Sequence, residues 1–179
     1  MADLVVVGAG AIPDDRLAAA AGLRTGNGIV VDSHCATSDP NIFAAGDVVR
    51  FPGPHGLVRQ EDWRHAQDQG MVAGRNAAGA NEEYRSVPSF WSEQFDLYIQ
   101  GVGSPPAKPE RRVRREGAGT TQICFELSGP HIAYALGINA QRDIATVRRL
   151  IDRRIAVDPA ALADPAKPLA DFLKARTPS

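Results

Sequence analysis

The sequence predicts an α/β segment followed by an α+β domain. In the first half, short aliphatic runs alternate with turn residues and two helical stretches, as expected of an open α/β sheet. From Tyr84 onward aromatic residues cluster, and strand candidates with short connections precede a helix, which indicates a small antiparallel sheet with helices. The composition changes near Asn81, which predicts a domain boundary there.

Length and charge exclude several classes of partner. The 179 residues carry a net charge of -1 with a pI near 6.4, so overall charge does not favour nucleic acid or an anionic membrane. The start, Met1-Ala2-Asp3-Leu4-Val5, has no basic region, and its apolar run is too short for a signal sequence or a membrane span. We therefore expect no nucleic-acid or membrane partner and a cytoplasmic location.

The cysteines and histidines do not suggest a metal or a redox dithiol. Cys35 and Cys124 lie far apart and form no Cys-x-x-Cys pair. We expect surface or packing roles for the histidines, whose spacing matches no metal site: His34, His55, His65 and His131.

The first element predicted is a strand over Leu4 to Val7. The glycines that follow it imitate a phosphate-binding loop, but Pro13 fixes its own φ and keeps Ile12 out of a helix. The expected strand-turn-helix is therefore broken, and a short helix over Asp14 to Gly22 follows a loop.

Two further strands are predicted before a glycine-aspartate pair. Ile29 to Asp32 follows an Asn-Gly turn, and Ile42 to Ala45 is an apolar run of core-strand length. Gly46 allows close approach of the backbone to a bulky group, and Asp47 follows at the carboxyl end of the strand, where open sheets bind ligands. A carboxylate only accepts hydrogen bonds, so a polyol is a fitting partner, although Gly-Asp after a strand is also an ordinary turn.

A helix is predicted to begin near Glu61 to Trp63, with its positive end pointing toward the Asp47 loop. Small residues at spacings of three and four predict a slim packing face, formed by Ala66, Gly70, Ala73, Gly74 and Ala77. The alternative is an ordinary amphipathic helix with a tryptophan at its start.

The third region is predicted to contain strands over 111–115, 121–127 and 131–138, followed by a helix over 142–155. Before them, the residues after Trp91 alternate like a strand, with Phe95, Leu97 and Ile99 on one face. Trp91 itself could be a core anchor, which is the usual role of a tryptophan.

Three motifs carry a resemblance to known proteins. The stretch from Thr37 to Asp47, T-S-D-P-N-I-F-A-A-G-D, resembles the second FAD-binding motif of flavoprotein reductases with two dinucleotide-binding domains. The E-D-W-R-H-A-Q-D-Q-G stretch from Glu61 resembles the helix of that family that meets the isoalloxazine. P-S-F-W-S-E-Q from Pro88 resembles the C-terminal domain of the ferredoxin reductases of oxygenase systems, the putidaredoxin reductase type.

This resemblance implies an architecture. Residues 1–26 would end the NAD(P)-binding domain, and residues 27–80 would be the returning segment of the FAD-binding domain, together a partial three-layer Rossmann-like segment. Residues 81–179 would form the C-terminal domain of the reductase.

The resemblance also implies roles for individual residues. Asp47 would hold the ribityl chain of FAD, and Trp91 would lie on the electron path between the flavin and a docked iron-sulfur protein. The remaining residues assigned to the FAD site are Gly46, Glu61, Asp62 and Trp63.

The implied function is that of part of a flavoprotein moving electrons from NAD(P)H through FAD to a [2Fe-2S] ferredoxin. Neither glycine fingerprint of the family occurs in the sequence, so we expect the chain to be inactive alone, and whether it is an enzyme by itself stays open. The alternative is a non-catalytic half that serves as an interaction or dimerisation module, with an N-terminal half-chain or a second copy as partner.

We hypothesise that the clusters of basic residues in the second half of the chain interact with an acidic ferredoxin. Most such runs are solvated faces, and no stacking aromatics are interleaved as a nucleic-acid site would need. The residues are Arg111, Arg112, Arg114, Arg115, Arg148, Arg149, Arg153 and Arg154.

Overall fold

The computed structural model describes residues 2–53 and 56–174, which fall into two compact units, one ending at Arg85 and one beginning at Ser86. The mixed α/β architecture with an antiparallel sheet agrees with the predicted fold class. The finer division at residue 26 stays a prediction. Within the described ranges, none of the helices has the length and hydrophobicity needed to cross a bilayer.

The first unit is built on a small three-stranded sheet. Helix α1 (Arg16–Ala20) precedes β1 (Ile29–Val30), which pairs in parallel with β2 (Val49–Gly53). Strand β2 turns back into β3 (Gly56–Val58), and the 15-residue helix α2 (Trp63–Ala77) follows. In this unit the chain thus runs from the edge strand β3 into the long helix α2.

The predicted first strand is wrong. Leu4 to Val7 are between 76% and 84% exposed, and no bridge within the described ranges involves them. A strand exists only with a hydrogen-bonded neighbour, and the described residues supply none here.

The predicted buried strand over Ile42 to Ala45 is also wrong. Phe43 alone forms a bridge, to Ala36, and Ile42 is 39% exposed. Backbone hydrogen bonds from Thr37 and Ala44 fold residues 35–37 back on residues 42–44, so this stretch is a compact loop. Its short apolar run was consistent with a strand, but turns at both ends leave no room for a ladder.

Helix α2 packs with a different face from the one predicted. Its buried residues are His65, Gln69, Val72, Ala73 and Asn76. Gly70 and Gly74 are exposed, and a Cβ at either position would meet open space, so Ala73 is the one residue of the predicted small-residue face that is buried. A helix can bury a face with polar side chains when neighbouring segments form hydrogen bonds with them. The loops around α2 provide such partners.

The second unit is a five-stranded antiparallel sheet covered by helices. Its strands are β4 (Ser89–Gln94), β5 (Leu97–Gly103), β6 (Arg111–Glu116), β7 (Gln122–Ser128) and β8 (His131–Ile138), in the order β4-β5-β8-β7-β6. Helix α3 (Gln141–Asp152), helix α4 (Pro159–Ala163) and a 3-10 helix (Leu169–Leu173) follow. The predicted strands β6, β7 and β8 are confirmed, and α3 ends three residues before the predicted Ile155.

The core of the second unit lies between the sheet and these helices. Alternate residues of the strands point into it, including Ile123, Phe125 and Leu127, which are at most 1% exposed. Val147 and Leu150 of α3 complete it from the opposite side. Burial of this size supplies most of the free energy that holds the sheet and helices together.

Phe95 does not belong to a strand, contrary to the predicted alternation. The register of the β4–β5 hairpin pairs Gln94 with Leu97, which leaves Phe95 and Asp96 as its turn. Phe95 has a φ of +56° and a fully exposed ring, because the tip of a two-residue hairpin requires a positive φ.

Arg115 is a structural residue and not part of an exposed basic patch. It is only 7% exposed, and its guanidinium donates to the carbonyls of Leu162, Asp164, Pro165 and Lys167. The neighbouring Arg112 and Arg114 remain exposed on the edge strand β6. Of the four arginines of this run, the strand therefore buries one and leaves three exposed.

Candidate functional site

The candidate site of the first unit starts at a β-turn formed by residues 46–49, called here the Gly46 turn. The Gly46 carbonyl accepts from the Val49 amide at 3.0 Å, and the Val48 carbonyl accepts from Ile29 at 2.8 Å. Gly46 has a φ of +86°, a conformation that favours glycine. The turn is therefore anchored to β1 on one side and leads into β2 on the other.

Asp47 occupies the first central position of this turn and is exposed. No donor within the described ranges reaches its carboxylate, so both oxygens are open to accept hydrogen bonds. A carboxylate held at a turn in this way suits a partner that offers several hydroxyl donors. The predicted ribityl role of Asp47 is compatible with this geometry and stays a prediction.

The start of α2 lies where the sequence predicted it. Asp62 is the N-cap, and its Oδ1 accepts from the His65 amide at 2.8 Å, while Oδ2 accepts from the side-chain amide of Gln60. Both carboxylate oxygens of Asp62 thus accept hydrogen bonds within the protein, and the main role of Asp62 is to cap the helix. Glu61 forms an ion pair with Arg59 at 2.6 Å.

Trp63 is the first residue of α2, and its side chain is 65% exposed. A large apolar ring so exposed beside a helix N-terminus is available to cover a bound group. The positive end of the helix dipole favours negative charge at this end.

His65 was assigned a surface or packing role from the sequence, and the structure places it at the centre of a polar cluster. It is 1% exposed, its Nδ1 lies 2.7 Å from the Tyr84 hydroxyl, and its ring stacks on Phe51 at a centroid distance of 4.8 Å. Burial lowers the pKa of His65 below its usual 6.5, and the negative charges of nearby carboxylates, including Asp47, act in the opposite direction.

Gln69 follows His65 by one helical turn and is completely buried. Its Oε1 accepts from the Gly46 amide at 2.9 Å. The Nε2 atoms of His65 and Gln69 are both buried and have no hydrogen-bond partner among the residues that the structure describes. The sequence analysis assigns neither residue to the site, although both lie in the stretch from Glu61 that carries the family resemblance.

Trp91 belongs to the second unit. It lies on the edge strand β4 opposite Gln100 of β5 and is 43% exposed. The neighbouring Phe90 ring covers Gly101, where an added Cβ would come within 2.1 Å of that ring. Trp91 is therefore not a buried core anchor, and its role in an electron path stays a prediction.

The structure brings five of the predicted site residues into one unit. Gly46 and Asp47 lie on the Gly46 turn, and Glu61, Asp62 and Trp63 lie at the start of α2, while Trp91 is in the other unit. The side chain of Gln69 bridges α2 to the turn. The unengaged carboxylate of Asp47 fits a flavin tether, and the engaged carboxylate of Asp62 does not need a ligand.

Across the parts of the chain that the structure describes, no three His, Cys, Asp or Glu side chains are grouped as a metal site requires. His55 lies outside the described residues. Cys35 is buried, and burial raises the pKa of its thiol to about 11, while Cys124 is exposed.

Comparison with known families assigns both parts of the chain. Residues 1–70 match the pyridine nucleotide-disulphide oxidoreductase family, and residues 89–173 match the reductase C-terminal family. These matches lie on either side of the division between the two units.

Among curated proteins, the chain is 42% identical over 177 residues to the anthranilate 1,2-dioxygenase system ferredoxin--NAD(+) reductase component of Burkholderia cepacia. It is 33% identical over 176 residues to putidaredoxin reductase of Pseudomonas putida. These alignments cover 96% and 97% of the chain but 43% and 42% of the two relatives. The chain therefore spans less than half the length of these relatives.

Solved structures agree. The chain resembles the reductase of the covalent putidaredoxin reductase–putidaredoxin complex with a TM-score of 0.85 and 32% identity, covering 97% of this chain and 42% of that one. The ferredoxin reductase for the CYP199A2 system from Rhodopseudomonas palustris also gives a TM-score of 0.85, with 34% identity and coverage of 94% and 42%.

Proposed function

We propose, from its similarity to ferredoxin reductases of the putidaredoxin reductase type, that the chain is part of a flavoprotein that moves electrons from NAD(P)H through FAD to a [2Fe-2S] ferredoxin. In this proposal residues 27–80 contribute half of the FAD site, and the second unit contributes the surface from which electrons leave.

The observation that carries the proposal is the state of Asp47. Its carboxylate is exposed, has no donor among the described residues, and follows a glycine whose positive φ and amide hydrogen bond hold the turn in place. A ribityl chain offers several hydroxyl donors in a row, which is the partner that two open carboxylate oxygens would select.

The start of α2 supplies the second part of the half-site. The Asp62 cap fixes where the helix begins, so the remaining N–H groups and the positive end of the dipole have a defined direction. When bound, FAD supplies the hydride-accepting and single-electron chemistry. The residues of this chain hold its polar tether, favour negative charge beside it, and cover it with the exposed Trp63 ring.

We propose that protein outside residues 1–179, in the same polypeptide or in a partner chain, completes the site. The sequence contains no Gly-x-Gly-x-x-Gly loop for a pyrophosphate. The aliphatic side chains of Leu4 to Val7 are exposed, as expected of a segment that another sheet covers.

The proposed electron partner is a small acidic [2Fe-2S] ferredoxin. Trp91 would mark the exit, since it is a half-exposed aromatic ring on an edge strand. Of the basic residues, those that are exposed remain candidates for steering, whereas Arg115 is buried. The exposed ones are Arg111, Arg112, Arg114, Arg149, Arg153 and Arg154. Complementary charge accelerates encounter without requiring a large interface.

The test is a titration with FAD. The purified chain is examined alone and after addition of the N-terminal segment of the Burkholderia cepacia reductase component that the chain does not match, and flavin absorbance near ~450 nm is followed. We expect tight binding only in the combined sample, and we expect Asp47→Ala to weaken it about tenfold or more, as loss of a charged acceptor does. Equal FAD binding by the wild type and by Asp47→Ala would refute the assignment of Asp47.

The second candidate function is a non-catalytic interaction or dimerisation module. The exposed run from Leu4 to Val7 favours it, because four adjacent aliphatic side chains in water promote association. Sedimentation of the chain without FAD distinguishes the candidates. A stable dimer that does not bind FAD even with the added N-terminal segment would favour the module.

A further inference from the structure

The Gly46 turn is tied to α2 by one buried side chain. The Gly46 amide donates to Gln69 Oε1 at 2.9 Å, across 23 residues of sequence. A Cβ placed on Gly46 would lie 3.7 Å from the Ala66 Cβ, so the turn also rests on the same face of the helix. The backbone immediately before Asp47 is thus in contact with α2.

The role of Gln69 depends on its side-chain oxygen. Gln69 is 0% exposed, and its Nε2 has no hydrogen-bond partner among the described residues. Burying a primary amide with one half unsatisfied is unfavourable, so packing alone does not account for it. The oxygen meets a single backbone amide, and that amide belongs to the residue that sets the direction of Asp47.

We propose that Gln69 is the positioning residue for Asp47. It holds the ribityl-binding carboxylate at a fixed position relative to the N-terminus of α2. The inference rests on the proposed FAD function and adds to it a residue that touches no ligand. Because Gly46 at a φ of +86° and Asp47 are adjacent in the turn, a change at the Gly46 amide alters the direction of the carboxylate. Gln69 therefore acts through Asp47 and not beside it.

The variants separate the oxygen from the bulk of the side chain. Gln69→Met keeps the length and removes the acceptor. Gln69→Glu keeps an oxygen acceptor and replaces Nε2, which has no partner among the described residues, by the second oxygen of a carboxyl group. The matched control is Asn76→Ala. Asn76 is buried on the same helix face, but its hydrogen bonds go to His34 and Glu82, away from the turn.

Two measurements test the proposal. Hydrogen exchange of the Gly46 amide in the chain should accelerate in Gln69→Met and stay slow in Gln69→Glu and Asn76→Ala. The FAD dissociation constant is measured in the combined sample of the chain and the added N-terminal segment. It should rise about tenfold in Gln69→Met. In a double-mutant cycle with Asp47→Asn, the combined variant should bind no more than about twofold more weakly than the weaker single variant.

The outcomes distinguish this inference from the proposed function. Additive losses for Gln69→Met and Asp47→Asn, or a Gly46 amide that remains protected in Gln69→Met, would overturn the positioning role and leave the FAD assignment standing. FAD binding that is unchanged by Asp47→Asn would overturn both the positioning role of Gln69 and the FAD assignment. A loss in Asn76→Ala equal to that in Gln69→Met, with equal coupling to Asp47, would reduce Gln69 to a contributor to helix stability.

Discussion

His65 Nδ1 and the Tyr84 hydroxyl oxygen lie 2.7 Å apart in the interior of the first unit, one turn into α2. Phe51 of β2 stacks on the same imidazole and meets the Tyr84 ring edge-on, with centroid distances of 4.8 Å and 5.6 Å. The three rings join the helix to β2 and to the segment that leads out of the unit. They stabilise the start of α2, where the Asp62 cap and Trp63 lie.

This cluster predicts an acid-sensitive first unit. Burial lowers the pKa of His65, so below about pH 6.5 the unfolded chain binds a proton that the folded chain does not. The free energy of unfolding should therefore fall as the pH drops below that value, until the lowered pKa of the folded state is reached. Urea unfolding followed by circular dichroism across this range measures the slope.

The control for the pH dependence is His65→Phe, which keeps a ring against Phe51 and removes the titrating group. Its unfolding free energy should vary less with pH than that of the wild type. Identical slopes in the two proteins would place the acid sensitivity at groups other than His65.

The cap of α2 provides a second prediction. Asp62→Ala removes the acceptor for the His65 amide and should cost about 1 kcal/mol of unfolding free energy, the usual value for an N-cap. Urea unfolding is again the measurement. Glu61→Ala is the matched control, since it breaks only the partly exposed ion pair with Arg59, which contributes about 0–1 kcal/mol.

Arg115 predicts a large effect in the second unit. Arg115→Met leaves four carbonyl acceptors of residues 162–167 without their donor and should cost about 3 kcal/mol. Arg112→Met, which removes an exposed ion pair with Glu126, should cost less than about 1 kcal/mol. Similar losses for the two variants in thermal unfolding would contradict a structural role specific to Arg115.

The two thiols should differ in reactivity. Cys35 is 0% exposed, and burial raises the pKa of its thiol to about 11, whereas Cys124 is exposed on β7. A thiol reagent under native conditions should modify Cys124 quickly and Cys35 only on unfolding. Cys124→Ser should abolish the fast phase, and a fast phase that survives in this variant would mean that Cys35 is reached in the native state.

Much of the second unit follows from the sequence because its signals are local. The eight-residue strand β8 has the predicted bounds, since alternation of buried and exposed side chains is visible in any strand with one packed face. Asp62 ahead of Trp63 likewise marks the start of α2, because a cap acts on the residues directly after it.

The errors arise where a neighbour decides the conformation. Leu4 to Val7 has the composition of a strand but no strand beside it among the described residues, and Ile42 to Ala45 is folded into a loop by its own backbone hydrogen bonds. Phe95 is out of the strand because the register of the hairpin placed it at the turn. A residue pattern carries no information about register until the partner strand is known.

The sequence by itself determined the family, the motif ending in Asp47 and the helix that begins at Trp63, because each depends on residues close together in the chain. Only the tertiary structure decided that His65 meets Tyr84 and that Gln69 meets Gly46, pairs separated by 19 and 23 residues. A buried polar side chain is stable only beside a matching donor or acceptor. That partner is chosen by the packing of α2 against distant loops, which no local pattern encodes.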